Sequence, residues 1–359
     1  MQEFKAYAAS RPNGPLEPFS FDPGPLGPEE VEIKVSHCGL CHSDLSMLGN
    51  EWGMSQYPFV PGHEVTGTVV ALGEAAKGLK IGQRVGLGWT AHSCLACHEC
   101  VSGEQHLCSA NQGTIVGRYG GFADRVRAQW IWARPLPEAL DLATAGPLLC
   151  GGITVFAPFL TQDVRPTARV GIIGIGGLGH MALEFANKWG CEVHAFTTSP
   201  GKETEARKLG AHYVHNTTED GVLKKLSRSL DMIISTINAP LDMPAFLDTL
   251  APKGRFHNVG AVLKPFEVPA FSLIMGQRSL SGSPTGSPTA IDHMLAFSAR
   301  HSVAPVVEFF PMSKVNDALE RLHSGKARYR IVLINDFAKA QVPAGSHREK
   351  QPEPVLATA

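Results

Sequence analysis

The sequence predicts an α/β protein in which a doubly wound parallel sheet is joined to a second, mainly β domain. Between about residues 169 and 259, short apolar runs alternate with helix-like segments, the pattern of a parallel sheet covered by helices. A glycine-rich loop stands between the first of those runs and the helix after it. Up to about residue 150 the chain reads instead as strands and loops dense in Gly, Pro, Cys and His.

In chain order, residues 29–35 (Glu-Glu-Val-Glu-Ile-Lys-Val) alternate polar and apolar, as a half-buried strand does. Residues 65–72 form a second, β-branched strand. Little helical periodicity is visible before Cys150. Beyond it come strand 169–174, helix 178–189, strand 192–196, helix 203–209 and a short strand from Tyr213. Helix 222–230, strand 231–237, helix 244–250 and strand 255–259 follow. Near Val303 the texture returns to strands, then helix 315–324 and strand 329–334, so the C-terminal segment is expected to complete the first domain. The expected boundaries are 1–151, 152–298, a return at 299–337, and a disordered tail at 338–359 with three prolines and little apolar periodicity.

At 359 residues the chain has room for two domains. Lys plus Arg is 32 and Asp plus Glu 33, so the basic excess of a nucleic-acid binder is missing. No apolar run reaches the roughly 18 residues of a membrane span. The longest candidate, 148–160, is broken by Gly151, Gly152 and Pro158, and residues 1–14 lack an apolar signal core. The expectation is a soluble cytoplasmic protein that binds neither nucleic acid nor membrane. Its eight cysteines are then reduced, and clustered ones read as metal ligands.

Cys94, Cys97, Cys100 and Cys108 form C-x2-C-x2-C-x7-C. Four thiolates this close can close a tetrahedral structural zinc. An iron–sulfur cluster is the competitor, but its bacterial spacing has three residues before the fourth Cys and a following Pro; here seven intervene and Ser109 follows. A second set is dispersed: Cys41 in Cys-Gly-Leu-Cys-His-Ser-Asp, His63 in Pro-Gly-His-Glu, and Cys150 in Leu-Leu-Cys-Gly-Gly. Each is weak alone. Together they offer two sulfurs and one imidazole, the ligand number of a catalytic zinc with an open position. Two thiolates and a neutral imidazole cancel the charge of Zn2+, so this site can accept a carbonyl oxygen and stabilise developing negative charge; a four-thiolate site would repel it.

Gly174, Gly176 and Gly179 carry G-x-G-x-x-G, with Gly177 and Leu178 inside the loop, between a strand and a helix. That context is the signature of a dinucleotide pyrophosphate site. An NAD site would carry an acidic residue about 20 positions on to bond the ribose 2′-hydroxyl. Here Thr198, Ser199 and Lys202 follow the second strand, and no carboxylate appears until Glu203. Hydroxyls and a cation suit a 2′-phosphate, so NADP(H) is expected. Val259 and Gly260, at the end of strand 255–259, complete the expected cofactor contacts.

Cys41, Gly62-His63-Glu64, the 94–108 cysteine lobe, Cys150 and the glycine loop together resemble the zinc-dependent medium-chain alcohol dehydrogenases, from about residue 5 to 337. Residues 50–58 and 146–155 look like the cinnamyl-alcohol-dehydrogenase-like branch, within which the chain is most similar to bacterial broad-range NADPH-dependent aldehyde reductases. The resemblance implies a Rossmann domain, a GroES-like catalytic domain, two zinc ions per chain and a homodimer. It implies that Cys41, His63 and Cys150 hold the catalytic zinc and that Ser43 bonds the substrate oxygen and passes its proton. It further implies that Asp44 orients the ligand histidine, that Glu64 stands behind the metal, that Thr154 faces the nicotinamide, and that Trp52 and Trp89 line the substrate pocket. Many relatives place a histidine at the outer end of the proton relay where this chain has Ser46. The relay is left to end at Ser46, at a ribose hydroxyl or through water, with His42 a candidate substitute. The expected reaction is reduction of an aldehyde, or reversibly oxidation of a primary alcohol. A dedicated cinnamyl-type dehydrogenase and a non-enzymatic NADPH-binding protein are the alternatives.

Overall fold

The computed structural model describes residues 3–337; the expected disordered tail, 338–359, lies outside the described residues. The chain divides into two compact units. One comprises the chain up to Cys150 together with the segment from Ser287 on, the other Gly151–Gly286.

The first unit is built on a seven-stranded sheet. Its hub is Glu30–Leu40, which pairs antiparallel with Glu64–Leu72, Arg125–Gln129 and Arg330–Ile334. Val31, Ile33 and Val35 alternate into the core. The register then slips between Val35 and His37. An extra residue there moves the buried side to the even positions, so Cys38 and Leu40 are buried as well. The strand thus runs further than its first alternating stretch and delivers Cys41 to the interior. A helix, His42–Leu48, starts at once. Its buried side carries Asp44 and Ser46 beside Met47 and Leu48, and this polar content hides it from apolar periodicity.

The second unit is a six-stranded, all-parallel sheet. Its order is Tyr213–Asn216, Glu192–Thr197, Arg169–Ile173, Leu230–Ser235, Leu250–Asn258, Ser279–Gly282. The order reverses between Arg169–Ile173 and Leu230–Ser235, which places a crevice at the carboxyl ends of those two strands. Its core includes Ile173, Phe196, Leu230, Ile233, Phe246 and Phe256.

Two expectations are corrected. Residues 222–230 are not an α-helix: the structure has a 3-10 turn, Lys224–Leu226, and a strand that begins at Leu230. Arg228 takes a φ of 55°, which no α-helix continues through. The chain also rejoins the first unit at Ser287, ahead of residue 299. The helix Pro288–His301 belongs there, and its Asp292 accepts a 2.9 Å bond from Arg134 Nε. Among the described residues no single helix is long and apolar enough to cross a membrane.

Candidate active site

Cys41 caps the helix His42–Leu48, and Asp44 is the third residue of that helix. Asp44 is fully buried. Its Oδ2 accepts from Cys41 N at 2.9 Å; its Oδ1 accepts from Gly62 N at 2.9 Å and from His63 Nδ1 at 3.0 Å. One carboxylate therefore ties the first cysteine segment to the histidine segment. Because Nδ1 donates to Asp44, Nε2 of the neutral ring is left with its lone pair. That Nε2 is buried and has no hydrogen-bond partner.

The ligand atoms of Cys41, His63, Glu64 and Cys150 lie within 4.8 Å of one another, all buried. The two sulfurs are 3.9 Å apart. A tetrahedral zinc with bonds of about 2.3 Å would hold two sulfurs about 3.8 Å apart. The unpartnered imidazole nitrogen and this sulfur spacing fit a zinc ion. The hydrogen bond with Cys150 brings the Cys41 thiol well below its ordinary range, while burial pulls the other way. Burial opposes charge on His63, but the Asp44 carboxylate raises its pKa well above the usual value.

Behind this set stands a partner that sequence reasoning missed. Arg330 is 4% exposed and its guanidinium hydrogen-bonds the fully buried Glu64 carboxylate. Burial raises the Glu64 pKa, and the Arg330 charge pulls against it. Arg330 opens an apolar strand 266 positions away, so spacing carries no signal for it. The other Glu64 oxygen, Oε2, has no partner. A Cβ on Gly39 would lie 2.0 Å from that oxygen, so the position admits only glycine.

Ser43 is half-buried, and its Oγ lies 3.8 Å from the Cys41 sulfur. His42 is exposed. Trp89 meets His63 edge to face at 5.1 Å between ring centres, and Trp52 meets Trp89 likewise at 6.0 Å. Both expected pocket tryptophans therefore form one aromatic wall beside the imidazole.

The four lobe cysteines also converge within 4.8 Å. Cys94 Sγ is 3.9 Å from Cys100 Sγ and 3.5 Å from Cys108 Sγ, spacings suited to a four-sulfur site. Backbone N–H groups of Ala96 and Cys97 donate to Cys94 and bring its pKa down to about 6. Cys38 and Cys191 are buried outside both clusters.

In the second unit the glycine loop follows the strand Arg169–Ile173 and opens the helix Gly179–Trp189. Gly174 has a φ of 89°, and a Cβ on Gly179 would lie 1.8 Å from Gly174 O. Gly176 faces open space, as backbone that must approach a pyrophosphate should. Lys202 Nζ donates to Ile175 O at 2.6 Å, so the ammonium lies against the loop, and Thr198 and Ser199 are exposed next to it in sequence. Thr154 is buried in the helix Gly151–Thr161. Val259 donates to Ser235 O at 3.0 Å, and Asn258 Nδ2 donates to Gly260 O at 2.7 Å. Two polar groups that the sequence did not single out join them. Ser235 and Asn258 are paired in register at the carboxyl ends of adjacent strands. Ser235 Oγ and Asn258 Oδ1 are both buried without partners, as atoms awaiting a ligand would be.

Comparison with known proteins agrees with this geometry. Residues 27–138 match the family "Alcohol dehydrogenase GroES-like domain", and residues 177–300 match "Zinc-binding dehydrogenase". The chain is 54% identical to aldehyde reductase AdhA of Synechocystis sp. over 92% of its own length and 98% of the relative's. It is 38% identical to a probable cinnamyl alcohol dehydrogenase of Oryza sativa subsp. japonica over 92% of this chain and 96% of the relative. A cinnamyl alcohol dehydrogenase structure from Sorghum bicolor superposes with a TM-score of 0.89 at 36% identity, covering 93% of this chain and 98% of that one. The corresponding enzyme from Helicobacter pylori, solved with NADP(H), gives 0.85 at 29% identity, covering 92% and 98%. With full-length similarity of this order, and with both sulfur-rich clusters and the glycine loop formed, the chain belongs to the zinc-dependent medium-chain alcohol dehydrogenase family.

Proposed function

We propose that this protein is a zinc-dependent oxidoreductase that reduces a broad range of aldehydes to primary alcohols with NADPH, and runs the reverse reaction with NADP. The observation that carries the reading is the buried convergence of Cys41, His63 and Cys150 around an unpartnered imidazole nitrogen. When bound, zinc supplies Lewis-acid polarisation of a carbonyl oxygen, and NADPH supplies the hydride. The chain's own residues do the rest. Asp44 fixes the tautomer and orientation of His63. Ser43 exchanges a proton with the substrate oxygen. Trp89 and Trp52 exclude water and favour an apolar substrate body. Gly176 admits the pyrophosphate, while Lys202, Thr198 and Ser199 bind the 2′-phosphate.

The Cys94–Cys108 lobe supports a second, structural zinc, giving two per chain. Eight unpaired thiols support a reducing, cytoplasmic setting. For the homodimer, support comes from exposed Leu263, Phe271, Ile274 and Met275, followed in sequence by the edge strand Ser279–Gly282. The aromatic wall favours a second reading, a dedicated cinnamyl-type enzyme. The test is NADPH oxidation over aliphatic aldehydes of increasing length and cinnamaldehyde, with and without a zinc chelator. Comparable catalytic efficiency across the panel supports the broad reading; confinement to cinnamaldehyde supports the second; no turnover with any aldehyde refutes both. Elemental analysis giving two zinc ions per chain, and light scattering giving twice 38.5 kDa, are expected.

A further inference from the structure

Aldehyde reduction consumes a proton and alcohol oxidation releases one, yet Cys41, His63 and Cys150 are buried. The proton needs a route to water. We propose that it travels through Ser46 to the Glu51 carboxylate, an outlet that contains no imidazole. The inference rests on the function proposed above.

Ser46 is only 8% exposed, and its hydroxyl donates to Glu51 Oε2 at 2.7 Å. A serine inside a helix usually satisfies its hydroxyl on the carbonyl four residues back or in solvent. This one reaches instead to an exposed carboxylate beyond the helix end. The main chain that carries this carboxylate is fixed by its own bonds, since Glu51 N donates to Ser46 O at 2.9 Å and Gly53 N donates to Asn50 O at 3.1 Å. At the inner end, Ser43 precedes Ser46 by three residues in the same helix, which puts both hydroxyls on one face. The proposed route joins these two hydroxyls through one bridging water. The result is a line of hydroxyls from the half-buried Ser43 to a carboxylate in solvent.

In the oxidation direction the alcohol O–H proton passes to Ser43 as Ser43 gives its own proton toward Ser46. Ser46 in turn gives its proton along the 2.7 Å bond to Glu51, which releases it to bulk water. Each hydroxyl loses one proton and gains one, and Glu51 returns to the carboxylate. Reduction runs the same sequence backwards.

The test uses the intact protein, with Ser46→Ala, Glu51→Gln and Glu51→Asp compared with the parent. Turnover is measured at low and high concentrations of a small diffusible buffer acid, and NADPH affinity is measured separately by fluorescence titration. Loss of the outlet is expected to lower kcat by about tenfold in Ser46→Ala and Glu51→Gln at low buffer. NADPH affinity and aldehyde KM should stay within twofold, Glu51→Asp should recover most of the rate, and added buffer acid should restore the variants without accelerating the parent. Parent-like kcat in both variants overturns the outlet. A loss that buffer acid does not rescue, or that comes with weakened NADPH binding, assigns the pair a purely structural role and also overturns it. A parent protein inactive on every aldehyde overturns the proposed function instead, so the two failures are distinguishable.

Discussion

Asp44→Asn isolates the junction on which the candidate metal site is assembled. The carboxylate accepts from Cys41 N, Gly62 N and His63 Nδ1 at 2.9–3.0 Å with no exposure to solvent. An amide can keep its oxygen toward Gly62 and His63, but its NH2 then faces the Cys41 N–H, donor against donor. One charge-assisted bond is lost, and the remaining two lose the benefit of the negative charge. A hydrogen bond to a charged group contributes about 1.5–3 kcal/mol, and a buried donor left unpaired costs about 1–3 kcal/mol. These terms overlap, so the expected loss is about 3 kcal/mol in the first unit. Trp52, Trp89, Trp130 and Trp132 all belong to that unit and only Trp189 to the second, so tryptophan fluorescence during urea unfolding reports mainly on the affected part. The same substitution loosens the His63 ring, and such an outer partner typically changes metal affinity by about 10–100-fold. Competition with a chromophoric chelator measures this directly. An unchanged unfolding midpoint together with full zinc retention would show that Asp44 organises nothing, and would refute the reasoning.

Further outcomes follow from other contacts. Arg330→Met should cost about 3–5 kcal/mol by leaving the Glu64 carboxylate buried and unpaired, and adding Glu64→Gln should recover part of it; strict additivity of the two losses in urea unfolding would contradict the pairing. Lys202→Glu should weaken NADPH by about 10–100-fold while changing NADH little, read from KM for each cofactor, and equal losses would sink the 2′-phosphate assignment. His257 is fully buried between Ser281 and Ser283, each 2.9 Å from a ring nitrogen, and burial lowers its pKa to about 4. The unfolded chain, with an ordinary pKa of about 6.5, then binds more protons than the folded one between those values. The stabilisation is present above pH about 6.5 and falls by about 3 kcal/mol as the pH drops to about 4. His257→Gln should flatten that acid limb in the second unit, and an unaltered limb would discount the histidine.

Much of the fold was legible because its signals are local. The alternation in Glu30–Leu40 and the apolar strands Arg169–Ile173 and Leu230–Ser235 declare themselves over five to eleven residues. What escaped was structure whose pattern is interrupted by function. The helix His42–Leu48 buries Asp44 and Ser46 where a periodic reading wants apolar side chains. The helix Pro288–His301 has ordinary helical character, but only its packing says which unit it joins.

The chemistry divides the same way. Residue types and close spacing were enough to read the four-cysteine lobe as a metal site and the glycine loop as a cofactor site, because all the atoms required lie within fifteen and six consecutive residues. Cys41, His63 and Cys150 could be nominated, but their convergence depends on sheet pairing and on a carboxylate that bonds two segments at once. Arg330, Ser235, Asn258 and the Ser46–Glu51 bond belong wholly to the folded chain. No motif announces them, because a buried charge or an unpaired hydroxyl is defined by what surrounds it, and that environment exists only once distant strands have come together.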